Sequence, residues 1–132
     1  MEKRILLVED NARFREAFTK VLWRALASEQ LDLAFVEAGS LGEARARLRE
    51  GGLDAALIDV TLPDGNGLDL VLEINDDAGS RIPTLVLTAN LDSSVAARAM
   101  DAGAQGALSK VVSLPETTEA IKRLTNTERS AG

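Results

Sequence analysis

The sequence predicts an α/β fold, an open parallel sheet with helices on both faces. Three observations predict it: short apolar runs bounded by charge, apolar residues at helical spacing after each run, and cap signals between them. Five strand-then-helix units in that alternation imply a parallel sheet joined by right-handed crossovers. A chain of 132 residues fits one ordinary domain.

Residues 5–8, Ile5-Leu6-Leu7-Val8, form a continuous apolar run, as a strand buried on both faces requires. A helix follows with Asp10 or Asn11 at its N-cap. Its apolar stripe is Phe14, Ala17, Phe18, Val21, Leu22, Ala25 and Leu26, and Trp23 lies off it as a partly exposed packing residue. Residues 31–36 read as the second strand. Ser40-Leu41-Gly42-Glu43 is a capping box opening the second helix, which Gly51-Gly52 closes. Residues 55–58 are the third strand, terminated by Asp59, and Leu62-Pro63-Asp64-Gly65-Asn66-Gly67 is a turn-rich loop before a helix over 68–74. Residues 83–88 form the fourth strand, 92–102 the fourth helix, and Ala107-Leu108 the core of a short fifth strand. After Lys110, Ser113-Leu114-Pro115-Glu116 repeats the capping box, and Ala120, Ile121 and Leu124 continue the last helix. From Thr125 onward the chain is polar and is expected to fray.

Composition narrows the chemistry. The chain has no cysteine, so disulfides, thiolate metal sites and cysteine nucleophiles are excluded. It has no histidine, which removes the commonest general base and zinc ligand. A net charge of −6 and scattered arginines argue against direct nucleic-acid binding by this segment. No apolar run approaches the roughly 20 residues that span a bilayer. The start, with four apolar residues and then Glu9-Asp10, is no secretory signal. A cytoplasmic, non-membrane location is expected.

In open α/β sheets ligands sit beyond the carboxyl ends of the strands, where strand order reverses. Strand one ends in Glu9-Asp10, strand three in Asp59, strand four in Thr88 and strand five in Lys110. Converging carboxylates repel and need a counter-charge, and a hard, oxygen-binding ion such as Mg²⁺ suits them. A carboxylate can take up a phosphoryl group when the charge on the transferring oxygens is neutralised. Asp59 is the candidate nucleophile, with Lys110 and Thr88 available to two of those oxygens. Taken singly, a strand-end Asp is more often a cap, a strand Thr ordinary β propensity and a lone Lys solvated surface. The set together, at the ends of four strands, points to a site.

On these motifs the chain resembles a response-regulator receiver domain of two-component signalling. The resemblance rests on Ile-Leu-Leu-Val-Glu-Asp at 5–10, Leu-Ile-Asp-Val-Thr-Leu-Pro-Asp-Gly-Asn-Gly at 57–67, Val-Leu-Thr-Ala at 86–89 and Gly-Ala-Gln-Gly-Ala-Leu-Ser-Lys at 103–110. It implies a doubly wound, flavodoxin-like (βα)5 sandwich with strand order 2-1-3-4-5, a receiver domain over 1–124, and a polar tail over 125–132 that begins a linker to an output domain. It further implies that Asp59 is the phosphoacceptor, and that Glu9, Asp10, Asp59 and the backbone carbonyl of Thr61 hold Mg²⁺. Thr88 and Lys110 would engage the phosphoryl group, while Thr61 and Asn90 tune its lifetime. The implied partners are a sensor histidine kinase or phosphotransfer protein in a phosphorelay, an output domain or partner protein, and a second copy of the chain meeting through Leu114, Ile121 and their neighbours.

Two departures bear on the read-out. Ala107 stands where the family usually carries the aromatic ring that turns inward with the threonine, so the switch would work through the 89–92 loop and helix shifts instead. Val111 follows Lys110 in place of a frequent proline, closer to receivers found ahead of helix-turn-helix output domains. The expected function is a phosphorylation switch rather than a metabolic enzyme. The alternatives are a degenerate receiver serving as a protein-binding scaffold, for which Ala107 speaks, and a small Mg²⁺-dependent phosphatase. Thr61 speaks against the latter, since such enzymes usually carry a carboxylate there.

Overall fold

A computed structural model describes residues 2–27, 31–77, 81–110 and 114–131, with side chains of the last helix described over 115–125. Val111 and Ser113, and the cap expected there, lie outside the described residues. The main sheet contains β1 (Lys3–Val8), β2 (Leu33–Ala38), β3 (Ala55–Asp59), β6 (Thr84–Thr88) and β7 (Gly106–Ser109), all parallel, in the order β2-β1-β3-β6-β7. This is the expected 2-1-3-4-5 order, with numbering displaced by a small antiparallel hairpin, β4 (Thr61–Leu62) and β5 (Gly65–Asn66), inside the turn-rich loop. The helices are α1 (Ala12–Ala27), α2 (Leu41–Glu50), α3 (Gly67–Asp76), α4 (Ser93–Ala102) and α5 (Leu114–Ala131).

The alternation of side chains along each strand divides the core into two layers. Leu6, Val8, Ala56, Ile58 and Val86 pack on one face against α2, α3 and α4 through residues such as Leu41, Leu70, Ile74 and Ala99. Ile5, Leu7, Leu57, Leu85 and Leu87 face the other way, against Leu22 and Leu26 of α1 and Ile121 and Leu124 of α5. Burial on both faces is why β1, β3 and β6 read as unbroken apolar runs.

Helix starts follow the polar residues before them. Asn11 Oδ1 accepts the Phe14 N–H at 3.1 Å, Ser40 Oγ accepts from Glu43 N at 3.1 Å, Asn66 Oδ1 from Leu68 N at 2.8 Å and Asp92 Oδ1 from Val95 N at 2.8 Å. In the capping box, Glu43 reaches back to the Gly39 N–H at 3.0 Å instead of that of Ser40. Gly51 ends α2 and Gly103 ends α4, both at positive φ.

Four expectations need correcting. Strand β2 starts two residues later than read, because Leu31 is spent closing α1, its N–H donating to the Leu26 carbonyl at 3.1 Å. Helix α5 runs on to Ala131 rather than fraying at Thr125, which is buried and donates its hydroxyl to the Ile121 carbonyl at 3.0 Å. Ile121 is wholly buried in the second layer, so it offers nothing to a dimer surface. The α1 stripe is narrower than its sequence pattern, with Ala17 exposed and Val21 47% exposed, while Trp23 is 54% exposed as its off-stripe position implied.

Candidate functional site

Strand order reverses between β1 and β3, and at that point the chain collects its acids. Asp59 closes β3 and is only 5% exposed. Its Oδ1 accepts the Thr61 N–H at 3.1 Å, and its Oδ2 accepts from Lys110 Nζ at 2.9 Å. The following loop is folded tightly against it. Gly67 N donates to the Val60 carbonyl at 2.7 Å, and a Cβ on Gly67 would lie 1.9 Å from the Asp59 carbonyl oxygen. Only glycine lets the chain return that closely beside the acid. Asp64, in the same loop, accepts the N–H groups of Leu41 and Gly42 at 2.8 and 3.1 Å, capping α2 from a distance and tying the loop to it. Those bonds hold the Asp64 carboxyl below its ordinary range.

Glu9, beyond the end of β1, is 1% exposed. Its Oε1 accepts the Asn11 N–H at 3.0 Å. Its Oε2 lies 2.5 Å from Lys110 Nζ as an ion pair. Burial, and next the neighbouring Asp59 carboxylate, push the Glu9 carboxyl up to about 7 against the pull of Lys110. Burial pulls the Lys110 ammonium down, but its pairing with Glu9 and Asp59 outweighs that and holds it above an ordinary lysine. The ammonium also sits 4.7 Å from the ring centroid of Phe14, itself stacked on Phe18 at 5.2 Å.

Asp10 is exposed, and oxygens of Glu9, Asp10 and Asp59 lie within 4.8 Å of one another. Three carboxylates sharing that space are an all-oxygen donor set that suits a hard divalent cation. Thr88, at the end of β6, is buried and accepts the N–H of exposed Asn90 on Oγ1 at 3.2 Å. Thr61 lies in β4 with its side chain exposed. Ala107 lies in β7 opposite Val86, half-buried against the first core layer.

The structure thus brings Glu9, Asp10, Asp59 and Lys110 together at one sheet edge, with Thr88 at the end of the adjacent strand. Phe14, read only as part of the α1 stripe, Asp64, read only as a turn residue, and Arg15 were not expected at the site. Asp64 had the one readable signal, a carboxylate in a Pro-Asp-Gly turn, but its partner lies 23 positions away.

Comparison with known proteins agrees with this arrangement. Residues 5–122 match the response regulator receiver domain family. The chain is 36% identical over 118 residues to the swarming motility regulation protein RssB of Serratia marcescens, covering 89% of this chain and 51% of that protein. It is 34% identical over 122 residues to the DNA-binding transcriptional activator DevR/DosR of Mycobacterium tuberculosis, covering 90% and 52%. The chain therefore spans about half the length of the curated relatives it matches. Among solved structures, a LuxR-family two-component response regulator from Aurantimonas superposes with a TM-score of 0.83 at 30% identity, covering 96% of this chain and 87% of that one. A CheY-like receiver domain from Methanospirillum hungatei shares the fold at a TM-score of 0.76, covering both chains fully. An acidic cluster at the switch point, a lysine joining two of its carboxylates and a family match over nearly the whole chain lead to one conclusion: this chain belongs to the response regulator receiver domains of two-component systems.

Proposed function

We propose that Asp59 accepts a phosphoryl group from a phosphohistidine of a sensor kinase or phosphotransfer protein, and that the chain changes its partner binding in response. The observation that carries this is the state of the Asp59 carboxylate: buried, oriented by the Thr61 N–H and Lys110, and flanked by two further acids. One Asp59 oxygen forms the new bond to phosphorus. The phosphorus–nitrogen bond of the donor breaks, and its electron pair leaves on the imidazole nitrogen, so no base of this chain is needed.

Glu9, Asp10 and Asp59, with the backbone carbonyl of Thr61, would hold Mg²⁺, which when bound offsets negative charge on the phosphoryl oxygens. Lys110 carries its charge to that site because both of its carboxylate partners keep it protonated. Thr88 supplies a hydroxyl hydrogen to a phosphoryl oxygen. Thr61 and exposed Asn90 flank the nucleophile and Thr88 in sequence, where they govern the access of a hydrolytic water and so the lifetime of the acyl phosphate.

The read-out follows from the same hydroxyl. In this structure Thr88 Oγ1 serves the Asn90 N–H, and Asp92 two residues on caps α4. Turning the hydroxyl toward a phosphoryl oxygen alters that loop bond and transmits the change to the start of α4, without a ring at Ala107. The output partner, or an output domain beyond α5, reads the altered face. With a net charge of −6, DNA contacts by an output domain fall outside this segment.

Intact-mass spectrometry after incubation with acetyl phosphate and Mg²⁺ tests the reading. One added phosphoryl mass is expected in the wild type and none in Asp59→Ala. Phosphorylation that survives Asp59→Ala would overturn the assignment, and a wild type that takes up no phosphoryl group favours the scaffold alternative.

A further inference from the structure

The end of β1 is held by a contact that the Asp59 chemistry does not use. Arg15, early in α1, donates from one terminal nitrogen to the main-chain carbonyl of Glu9 at 2.5 Å, and from Nε to Glu37 Oε1 at 2.8 Å. Its side chain is mostly buried, and Glu37 lies near the end of β2. The Glu9 carbonyl belongs to the peptide that joins Glu9 to Asp10. On its other side, Glu9 N makes the last bond from β1 to β2, donating to the Ala38 carbonyl at 2.9 Å. Beyond that point β1 leaves the sheet, and among the described residues the Asp10 side chain has no hydrogen-bond or ion-pair partner. Asp10 is therefore aimed by its backbone, and the backbone is held by Arg15.

We propose that Arg15, braced by Glu37, is a positioning residue that fixes the peptide between Glu9 and Asp10 so that both carboxylates reach one divalent cation. The inference rests on the magnesium reading above. A guanidinium suits the task because its planar fork serves a carbonyl and a carboxylate at once, which a lysine ammonium on a flexible stem does not reproduce. Groups that orient metal ligands without touching the metal typically change affinity about 10-fold or more when removed.

The sign of the effect separates positioning from simple electrostatics. Taking a cation away from beside a dication site would by charge alone tighten Mg²⁺ binding; loss of positioning loosens it. Calorimetric titration of the full chain with Mg²⁺ is expected to show Arg15→Met binding roughly 10-fold more weakly than wild type, and Arg15→Lys, which keeps the charge, roughly 3-fold more weakly. Thermal unfolding without Mg²⁺ identifies a variant that has failed to fold, and Arg15→Lys carries the test if Arg15→Met does. Phosphorylation by acetyl phosphate should slow at limiting Mg²⁺ and recover to within about 2-fold at saturation, a split that loss of a directly reacting group would not give. Unchanged or tighter Mg²⁺ binding by folded variants overturns the role of Arg15 while leaving the site intact. A wild type that binds no Mg²⁺ overturns the magnesium reading and this inference with it.

Discussion

The two ends of strand β6 carry the same residue in different company. Thr84 and Thr88 lie on the same face of the strand, are 1% and 7% exposed, and each gives its carbonyl to β7 or its flank, to Gln105 N and Lys110 N at 2.8 Å. At the amino end the Thr84 hydroxyl has no hydrogen-bond partner among the described residues. At the carboxyl end the Thr88 hydroxyl accepts an amide from an exposed loop and lies on the strand beside Asp59. A buried hydroxyl without a partner only costs stability; one bonded to a loop that can rearrange is a group that can be redirected. The sheet thus spends its buried polarity at both ends and obtains chemistry at one.

The sharpest way to break this contrast is at the carboxyl end. Gly67→Ala sets a methyl against the Asp59 carbonyl, a backbone atom with no room to yield, and should cost about 3 kcal/mol or more, read from the urea midpoint. A loss under about 1 kcal/mol would mean that the loop beside Asp59 is not tightly seated. Next in size, Thr84→Val should raise stability by about 1 kcal/mol by removing an unpaired hydroxyl at nearly constant volume, seen as a higher melting temperature. The same change at Thr88 removes a used acceptor and should not stabilise; equal gains at both positions would erase the distinction.

The smallest effect concerns Asp64. Its carboxyl is held below the ordinary value of 3.8, so its contribution is present above that value and is lost as pH falls through the lower folded pKa. Stability measured between about pH 4 and pH 2 should fall more steeply in wild type than in Asp64→Asn. Parallel curves would show that the tie between this loop and α2 carries no charge.

Much of the fold could be read because buried parallel strands leave unbroken apolar runs that stop where the chemistry begins, as at Val8, Ile58 and Leu87. The same stops exposed Glu9, Asp59 and Thr88. What escaped was set by partners distant in sequence. Leu31 reads as strand until its bond to Leu26 is seen, and Val21 and Ala17 read as core although both lie exposed on α1. Thr125 looks like the start of a polar tail, but its hydroxyl is satisfied within the helix, so it can be buried. Arg15 is one arginine among eleven, and nothing in its neighbours announces Glu37 or the carbonyl of Glu9. The two-residue strands around Pro63 and Asp64 are too short to carry a period at all.

The two-layered core also sets a timetable for synthesis. The layer holding α2, α3 and α4 draws its buried residues from the chain up to Ala104, so it can close once that much has emerged from the ribosome. The opposite layer cannot, because Leu22 and Leu26 wait for Ile121 and Leu124, roughly a hundred positions later. Until α5 arrives, this layer is covered by α1 alone, and the part of the sheet that α5 packs against faces the solvent. Contacts of such sequence separation are slow to form, so this interval is when the nascent chain is most open to aggregation.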